Sequence, residues 1–465
     1  MSVFNSDADV NAIWRIIKTR GAKIHFIGIL GSGMLPLANM LCAMGCEVTG
    51  SDMNYDSRER ISCLDGISVT PHRRINVWGK DMVVYSLAID ELNPELVSAQ
   101  ALAIPLISRA QLLGALMLPY PVRIGVSGSH GKSTTVAVLD SILTTASSAL
   151  TTISGATLLD GASYRHCGDD IMLYEACEYK DSFLRMFPTH QIITGIELDH
   201  TDYFSDINDI YSSFERCTHS AGTVVVNVDC PVASRLVDGL KGEVVTYGKR
   251  EGADYRFTRE GITDGRQRFT VHTPDGDNIR LTTSLIGEFN LYNITAAVAM
   301  SHKLSIDKKS IILGVCNFRT ITRRMSPLGR LCGREVFYDY AHHPTEISNV
   351  IDAVREEYGE CTVVFRPHTF TRTQTLWDEF ANVLCKAKFA ILLDIYSARE
   401  KSISGITSAR LAKCIGDSAV RLDFDEVVSY LEVHTSGPII LMGAGDIEPV
   451  IKDLFMSEHF DSSSK

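Results

Sequence analysis

The chain has 465 residues, 45% of them apolar and 22% charged, with a formal net charge of −11. At roughly 150 residues per domain this length implies about three globular domains, and the acidic balance argues against a general partner for nucleic acid or anionic membranes. The twelve cysteines form no C-x-x-C pair, residues 1–9 are mostly polar, and no apolar run is long enough to span a bilayer, which together predict a cytoplasmic protein with reduced thiols and no membrane insertion.

In chain order, short Val/Ile-rich runs predict buried parallel strands at 23–29, 46–50, 82–86, 123–126, 171–175, 191–196, 223–228, 362–365, 389–394 and 438–442. Helical patterns alternate with them, so the fold class is α/β with several doubly wound sheets. Residues 253–284 alternate as antiparallel hairpins around Pro274-Asp275-Gly276 and are expected to flank the central sheet. Pro119-Tyr120-Pro121 reads as a linker, and a new strand opens after residues 325–333. The expected domains are therefore 1–118, 119–325 and 326–465, and the tail 457–465 is expected to fray.

Two strand–glycine loop–helix units stand out. In the first, Gly28, Gly31 and Gly33 follow strand 23–29, and Asp52 ends the next strand. Such a unit seats a pyrophosphate at a helix N-terminus and a carboxylate on ribose hydroxyls. A nucleotide sugar and a nicotinamide dinucleotide both fit, although the spacing is G-x-x-G-x-G. Ser86 ends the following strand and joins Gly28, Gly31, Gly33 and Asp52 as a candidate substrate contact.

The second unit is Gly128-Ser129-His130-Gly131-Lys132-Ser133-Thr134. Its glycines let backbone N–H groups approach phosphate oxygens, Lys132 suits the terminal phosphates, and the Ser133 hydroxyl suits Mg²⁺. Glu175 and the His of Glu197-Leu198-Asp199-His200 end neighbouring strands, where they can converge with Ser133 on a metal. Three further strand ends carry chemistry. Asp339-Tyr340-Ala341-His342-His343-Pro344-Thr345-Glu346 offers a ribose acceptor and acid–base histidines. Arg366, His368 and Arg372 offer cationic donors for carboxylate or phosphate, and Asp394 to Lys401, with Arg399, mixes both signs of charge.

Taken in order, these pieces resemble the Mur ligase family of peptidoglycan synthesis, from about Ile24 to Gly445. The matching stretches include His25-Phe26-Ile27-Gly28-Ile29, the 128–134 loop, Glu175-Ala176-x-Glu178, Asp339 to Glu346, Pro367 to Thr373 and Asp394 to Glu400. The resemblance implies a Rossmann-like first domain for UDP-N-acetylmuramate and a central P-loop ATPase-like parallel sheet for Mg²⁺ and ATP. A Rossmann-like third domain would complete the ATP site and bind L-alanine. It implies amide synthesis through an acyl phosphate. Residues 128–134 would bind the ATP phosphates, Ser133, Glu175 and His200 the metals, and Asn290 and Asn293 would lie near adenine. Arg324 and Asp339 would reach the triphosphate and ribose. His343 and Arg372 would lie near the acyl phosphate and the alanine carboxylate, with Arg399 on substrate and His200 or His343 as base. Departures from the family pattern are Leu30, Cys177, Lys180, Phe289, Thr320 and Met325. The remaining alternatives are a relative that adds another amino acid or a recycled peptide, a nicotinamide oxidoreductase, and a nucleotide-binding sensor. A monomer or weak homodimer is expected.

Overall fold

The computed structural model describes residues 10–56, 66–156, 158, 161–201, 203–398, 400–444 and 447–462. Among these, three sheets follow one another along the chain. The first is five-stranded and wholly parallel, with Lys23–Ile27 at its centre between Glu47–Ser51 and Met82–Tyr85. The second has ten strands, and its middle sets Val122–Ser127 between His190–Ile193 and Ile171–Glu175, all parallel. The third has seven, with Ile439–Met442 between Thr362–Phe365 and Arg334–Asp339. The middle strands of each sheet are covered by helices on both faces, which is why they read as nearly unbroken apolar runs. The side chains of Ile24 and Phe26, of Ile124 and Val126, and of Val363 and Phe365 sit in separate apolar cores.

Several expectations are corrected. The first strand stops at Ile27, because Gly28 turns the chain at φ +79°. The hairpins do not flank the central sheet but extend it: Tyr255–Thr263 pairs with Glu243–Gly248 at Tyr247↔Tyr255 and Gly248↔Arg256, then with Arg266–His272 and Asn278–Thr283. The reason is the face carrying Tyr255, Phe257, Phe269, Val271, Ile279 and Leu281, which is buried in the same core as helix Lys132–Thr145. An Asp264-Gly265 turn, both residues at positive φ, joins the first two of these strands. The tail is not frayed at 460–461: Phe460 pairs with Leu331 and packs edge-on against Phe455, 5.1 Å between ring centroids. Strands Ser68–Thr70, Leu106–Ser108, Leu150–Ile153, Tyr164–His166 and Ser326–Leu331 escaped the sequence reading because they are short or carry polar residues. Among the described residues, no helix is long and apolar enough to cross a membrane.

Candidate functional site

The phosphate loop leaves strand Val122–Ser127 and enters helix Lys132–Thr145. Gly131 caps that helix at φ +82°, and a Cβ there would lie 2.2 Å from Asn293 Oδ1. At Gly128, φ +141°, a Cβ would lie 2.0 Å from Thr194 Oγ1. Glycine is thus required twice, by conformation and by space. The Ser129 hydroxyl accepts from Glu197 N at 2.8 Å. Lys132 Nζ lies 3.0 Å from both carboxylate oxygens of buried Glu178 and also donates to Gly128 O. Burial opposes both charges, yet each holds the other ionised: the lysine pKa is raised and that of Glu178 lowered.

Ser133 Oγ donates to Glu175 Oε2 at 3.1 Å, and Glu175 Oε1 accepts from Ser154 Oγ and Gly155 N at 2.9 and 2.8 Å. The expected metal set is therefore only partly assembled. Ser133 and Glu175 touch, whereas His200, at φ +53°, turns its Nε2 to Glu178 Oε1 at 3.6 Å and packs on Tyr179. Ser133 and Glu175 supply hard oxygen donors beside the loop, which fits Mg²⁺.

The third sheet closes the site from the other side. His343 caps helix Pro344–Tyr358, and Glu346 completes the capping box. His130 of the phosphate loop stands between Glu197 Oε2 at 3.3 Å and Glu346 Oε1 at 3.2 Å. Burial works against its charge, but Glu346 and Glu197 outweigh it and raise the pKa to about 10. Thr345 Oγ1 adds a bond to Glu197 at 2.7 Å, and Arg324 Nη1 lies 3.7 Å from Glu346. Ligand atoms of His130, Glu197 and His343 lie within 4.8 Å of one another. The group is tied into the start of the helix, where His343 Nδ1 accepts from Thr345 N at 3.3 Å. Asp339 accepts from Met325 N and Ala341 N at 2.8 and 2.7 Å, and burial lifts its carboxyl to about 6 against the pull of Arg324.

Arg372 also crosses between the two sheets. Its Nη2 donates to Asp199 Oδ1 at 2.6 Å, so the guanidinium expected to meet a free carboxylate already holds one. Asp199 stays well below the usual carboxylate range because Arg372 overrides its burial. Burial pushes His342 down to about 3 and His368 to about 4, leaving both neutral.

Between these walls lies a cavity of about 1080 Å³, lined by His130, Gly131, Phe289, Asn290, Asn293, Arg324, Asp339 and Glu346 among others. The two asparagines border it, but much of their hydrogen bonding is internal. Asn293 Nδ2 donates to Asn290 Oδ1 at 3.2 Å, and Asn290 Nδ2 donates to Ile286 O at 2.8 Å. They brace the Gly131 turn against helix Glu288–Lys303.

The first glycine loop lies apart from this cavity. Leu30 N donates to Asp52 Oδ2 at 3.1 Å and Asn54 N to Asp52 Oδ1 at 3.0 Å, so this carboxylate shapes its own loop. A Cβ at Gly33 would lie 3.0 Å from Arg109 Cδ, at Gly31 3.3 Å from Gly28 O. Ser86 Oγ accepts from Ala88 N at 3.3 Å. Lys180 Nζ reaches Leu87 O at 3.4 Å and ties the central lobe to this edge. Arg399 lies outside the described residues.

Known proteins share this sequence pattern and fold. The family described as Mur ligase family, catalytic domain, matches residues 23–121; the Mur ligase middle domain matches 126–301; and the Mur ligase glutamate ligase domain matches 323–445. A UDP-N-acetylmuramate–L-alanine ligase of Lachnospira eligens is 37% identical over 446 residues, 93% of this chain and 97% of the relative. The chain belongs to the Mur ligase family. Another ligase of the same description, from Thermobifida fusca, is 36% identical and covers 91% of this chain and 94% of its own. The crystal structure of the Thermotoga maritima UDP-N-acetylmuramate-alanine ligase superposes with a TM-score of 0.78 at 25% identity, covering 93% of this chain and 98% of that one. A MurF ligase of Thermotoga maritima in complex with ADP shares the fold at TM-score 0.60 and 16% identity, over 80% of this chain and 94% of that one.

For this Mur ligase the sequence reading passed over four acids that organise the site: Glu178, Glu197, Asp199 and Glu346. All stood inside the quoted motifs, but no spacing rule says which acid meets Lys132 or His130 across the fold. A buried Glu95 behind the first sheet was missed altogether. It accepts from Ser51 Oγ and Asn76 Nδ2, each at 2.6 Å, and pairs with His72 at 2.7 Å and His25 at 3.3 Å.

Proposed function

We propose that this Mur ligase joins UDP-N-acetylmuramate to L-alanine, the two substrates in its relatives' names, through the lactyl carboxylate and with ATP cleaved to ADP and phosphate. The observation that carries the reading is the shared cavity. A glycine loop bearing Lys132 and Ser133 meets Arg324 and, from the third lobe, Asp339 and Glu346 across one gap. The proposal includes domains 1–118, 119–325 and 326–465, a cytoplasmic setting for its soluble precursors, and a monomer or weak homodimer.

The loop N–H groups and Lys132 hold the triphosphate, and the carboxylate attacks the γ-phosphorus in line, a step that needs alignment and charge neutralisation above all. Mg²⁺, held by Ser133 and Glu175 with His200 nearby, would offset charge on the β- and γ-oxygens. Asp339 and Arg324 border the ribose and triphosphate. The free amine of alanine then attacks the acyl phosphate, and phosphate leaves. His343, whose pKa burial holds below that of a free imidazole, and His200 are the candidates for taking the amine proton. The contacts Arg372–Asp199 and His130–Glu346 close the third lobe over the loop and exclude water from the reactive intermediate. The test is ADP release with UDP-N-acetylmuramate, with and without L-alanine. Steady ADP formation that needs both supports the reading. ADP formation indifferent to the sugar nucleotide overturns it.

A further inference from the structure

We propose that Glu400 is a positioning residue for the amino-acid end of the site: it holds in place the short helix that carries Arg372. The inference rests on the reading that alanine binds beside Arg372.

Arg372 sits on helix Phe370–Thr375, which has only six residues. A helix this short does not hold its own shape, because few of its backbone bonds close within it. Its N-cap, Thr369, is at φ +65° and makes no side-chain cap bond. The free N–H groups are met instead by a residue from another strand end. Phe370 N and Thr371 N donate to Glu400 Oε2 at 2.6 and 2.9 Å, and Thr371 Oγ1 donates to Glu400 Oε1. A carboxylate at this position also opposes the partial positive charge of the helix start. The two loops are stitched further: Thr369 N donates to Tyr396 O at 2.8 Å, Tyr396 N to Pro367 O at 2.9 Å, and the Arg366 guanidinium lies 5.0 Å from the Tyr396 ring centroid.

The consequence reaches the chemistry through Arg372. One guanidinium nitrogen is bonded to Asp199, next to His200, and the other lies 3.4 Å from His368 Nδ1. Rotation of the helix start by the loss of its cap moves that fork away from both. Glu400 touches no reacting atom in this scheme. It sets where the cationic group stands that alanine must find.

The experiment is steady-state kinetics on the full chain for Glu400→Gln, Glu400→Asp and Arg372→Ala, each substrate varied in turn, with a thermal melt of each variant. Glutamine keeps the size of the side chain but presents an amide N–H₂ to donors. For Glu400→Gln the expected result is an alanine KM raised about tenfold or more. The KM values for ATP and UDP-N-acetylmuramate stay within about twofold, and kcat is retained at saturating alanine. Glu400→Asp, which keeps the charge, recovers part of the loss. An alanine KM unchanged by Glu400→Gln while Arg372→Ala raises it overturns the inference alone. An alanine KM unchanged in both overturns the placement of alanine at Arg372 as well. Three KM values rising together with a lowered melting point reduce Glu400 to a structural cap and also overturn the inference.

Discussion

Lys132 faces Glu178 with its ammonium 3.0 Å from each carboxylate oxygen, and that carboxylate is almost wholly buried. The lysine assigned to the phosphates therefore carries a fixed counter-ion, and its two duties can be separated by mutation. Lys132→Ala abolishes ADP formation and, by stranding a buried carboxylate, lowers stability by about 3 kcal/mol. Lys132→Ala combined with Glu178→Gln recovers most of that stability and none of the turnover. Denaturant unfolding and an ADP assay, run side by side, check both halves. Titration calorimetry checks that UDP-N-acetylmuramate still binds Lys132→Ala.

Gly131→Ala puts a methyl group where Asn293 Oδ1 stands and forces a left-handed backbone on alanine. The expected loss is about tenfold or more in ATP affinity, from strain and displacement of the loop. Affinity for the UDP-sugar, proposed to bind at the glycine loop of the first sheet, is expected to be unchanged. Equal losses for both ligands would show a general folding defect instead.

Much of this architecture is legible in the amino-acid sequence. The middle strands and both glycine loops are readable because parallel strands buried on two faces leave long apolar runs, and because glycine marks turns only it can make. The partners of the key cations are not. Glu178 is 46 residues from Lys132 and Asp199 is 173 from Arg372; the folding of the central sheet brings the first pair together, and only the packing of separate lobes the second. Asp52, whose position after the second strand suggests a ribose contact, also accepts one backbone N–H on each oxygen, from Leu30 and Asn54, which no spacing rule foretells. The tail misleads for another reason: its polar residues hide Phe460, which finds an open sheet edge at Leu331.

The Arg372–Asp199 bond spans the second and third lobes at 2.6 Å with both side chains largely buried. A double-mutant cycle with Arg372→Ala and Asp199→Ala should give a coupling of about 1–3 kcal/mol in unfolding free energy. A coupling near zero would show that the lobes do not hold this contact in solution.

His130 gives a pH signature. Its folded pKa, about 10, exceeds the ordinary 6.5, so the native state binds the extra proton. The stability it contributes is complete below about 6.5 and is lost as pH rises through that window toward about 10. Thermal melts from neutral to alkaline pH should therefore decline less steeply in His130→Asn than in the parent. Parallel curves would remove the imidazolium from between Glu197 and Glu346.

The central claim is that a carboxylate becomes an acyl phosphate in the gap between lobes. Label both lactyl carboxylate oxygens of UDP-N-acetylmuramate with ¹⁸O, run the reaction with ATP and L-alanine, and weigh the products. Attack on the γ-phosphorus predicts one ¹⁸O atom in each released phosphate and none in ADP. Unlabelled phosphate, or label carried on AMP, would contradict the account.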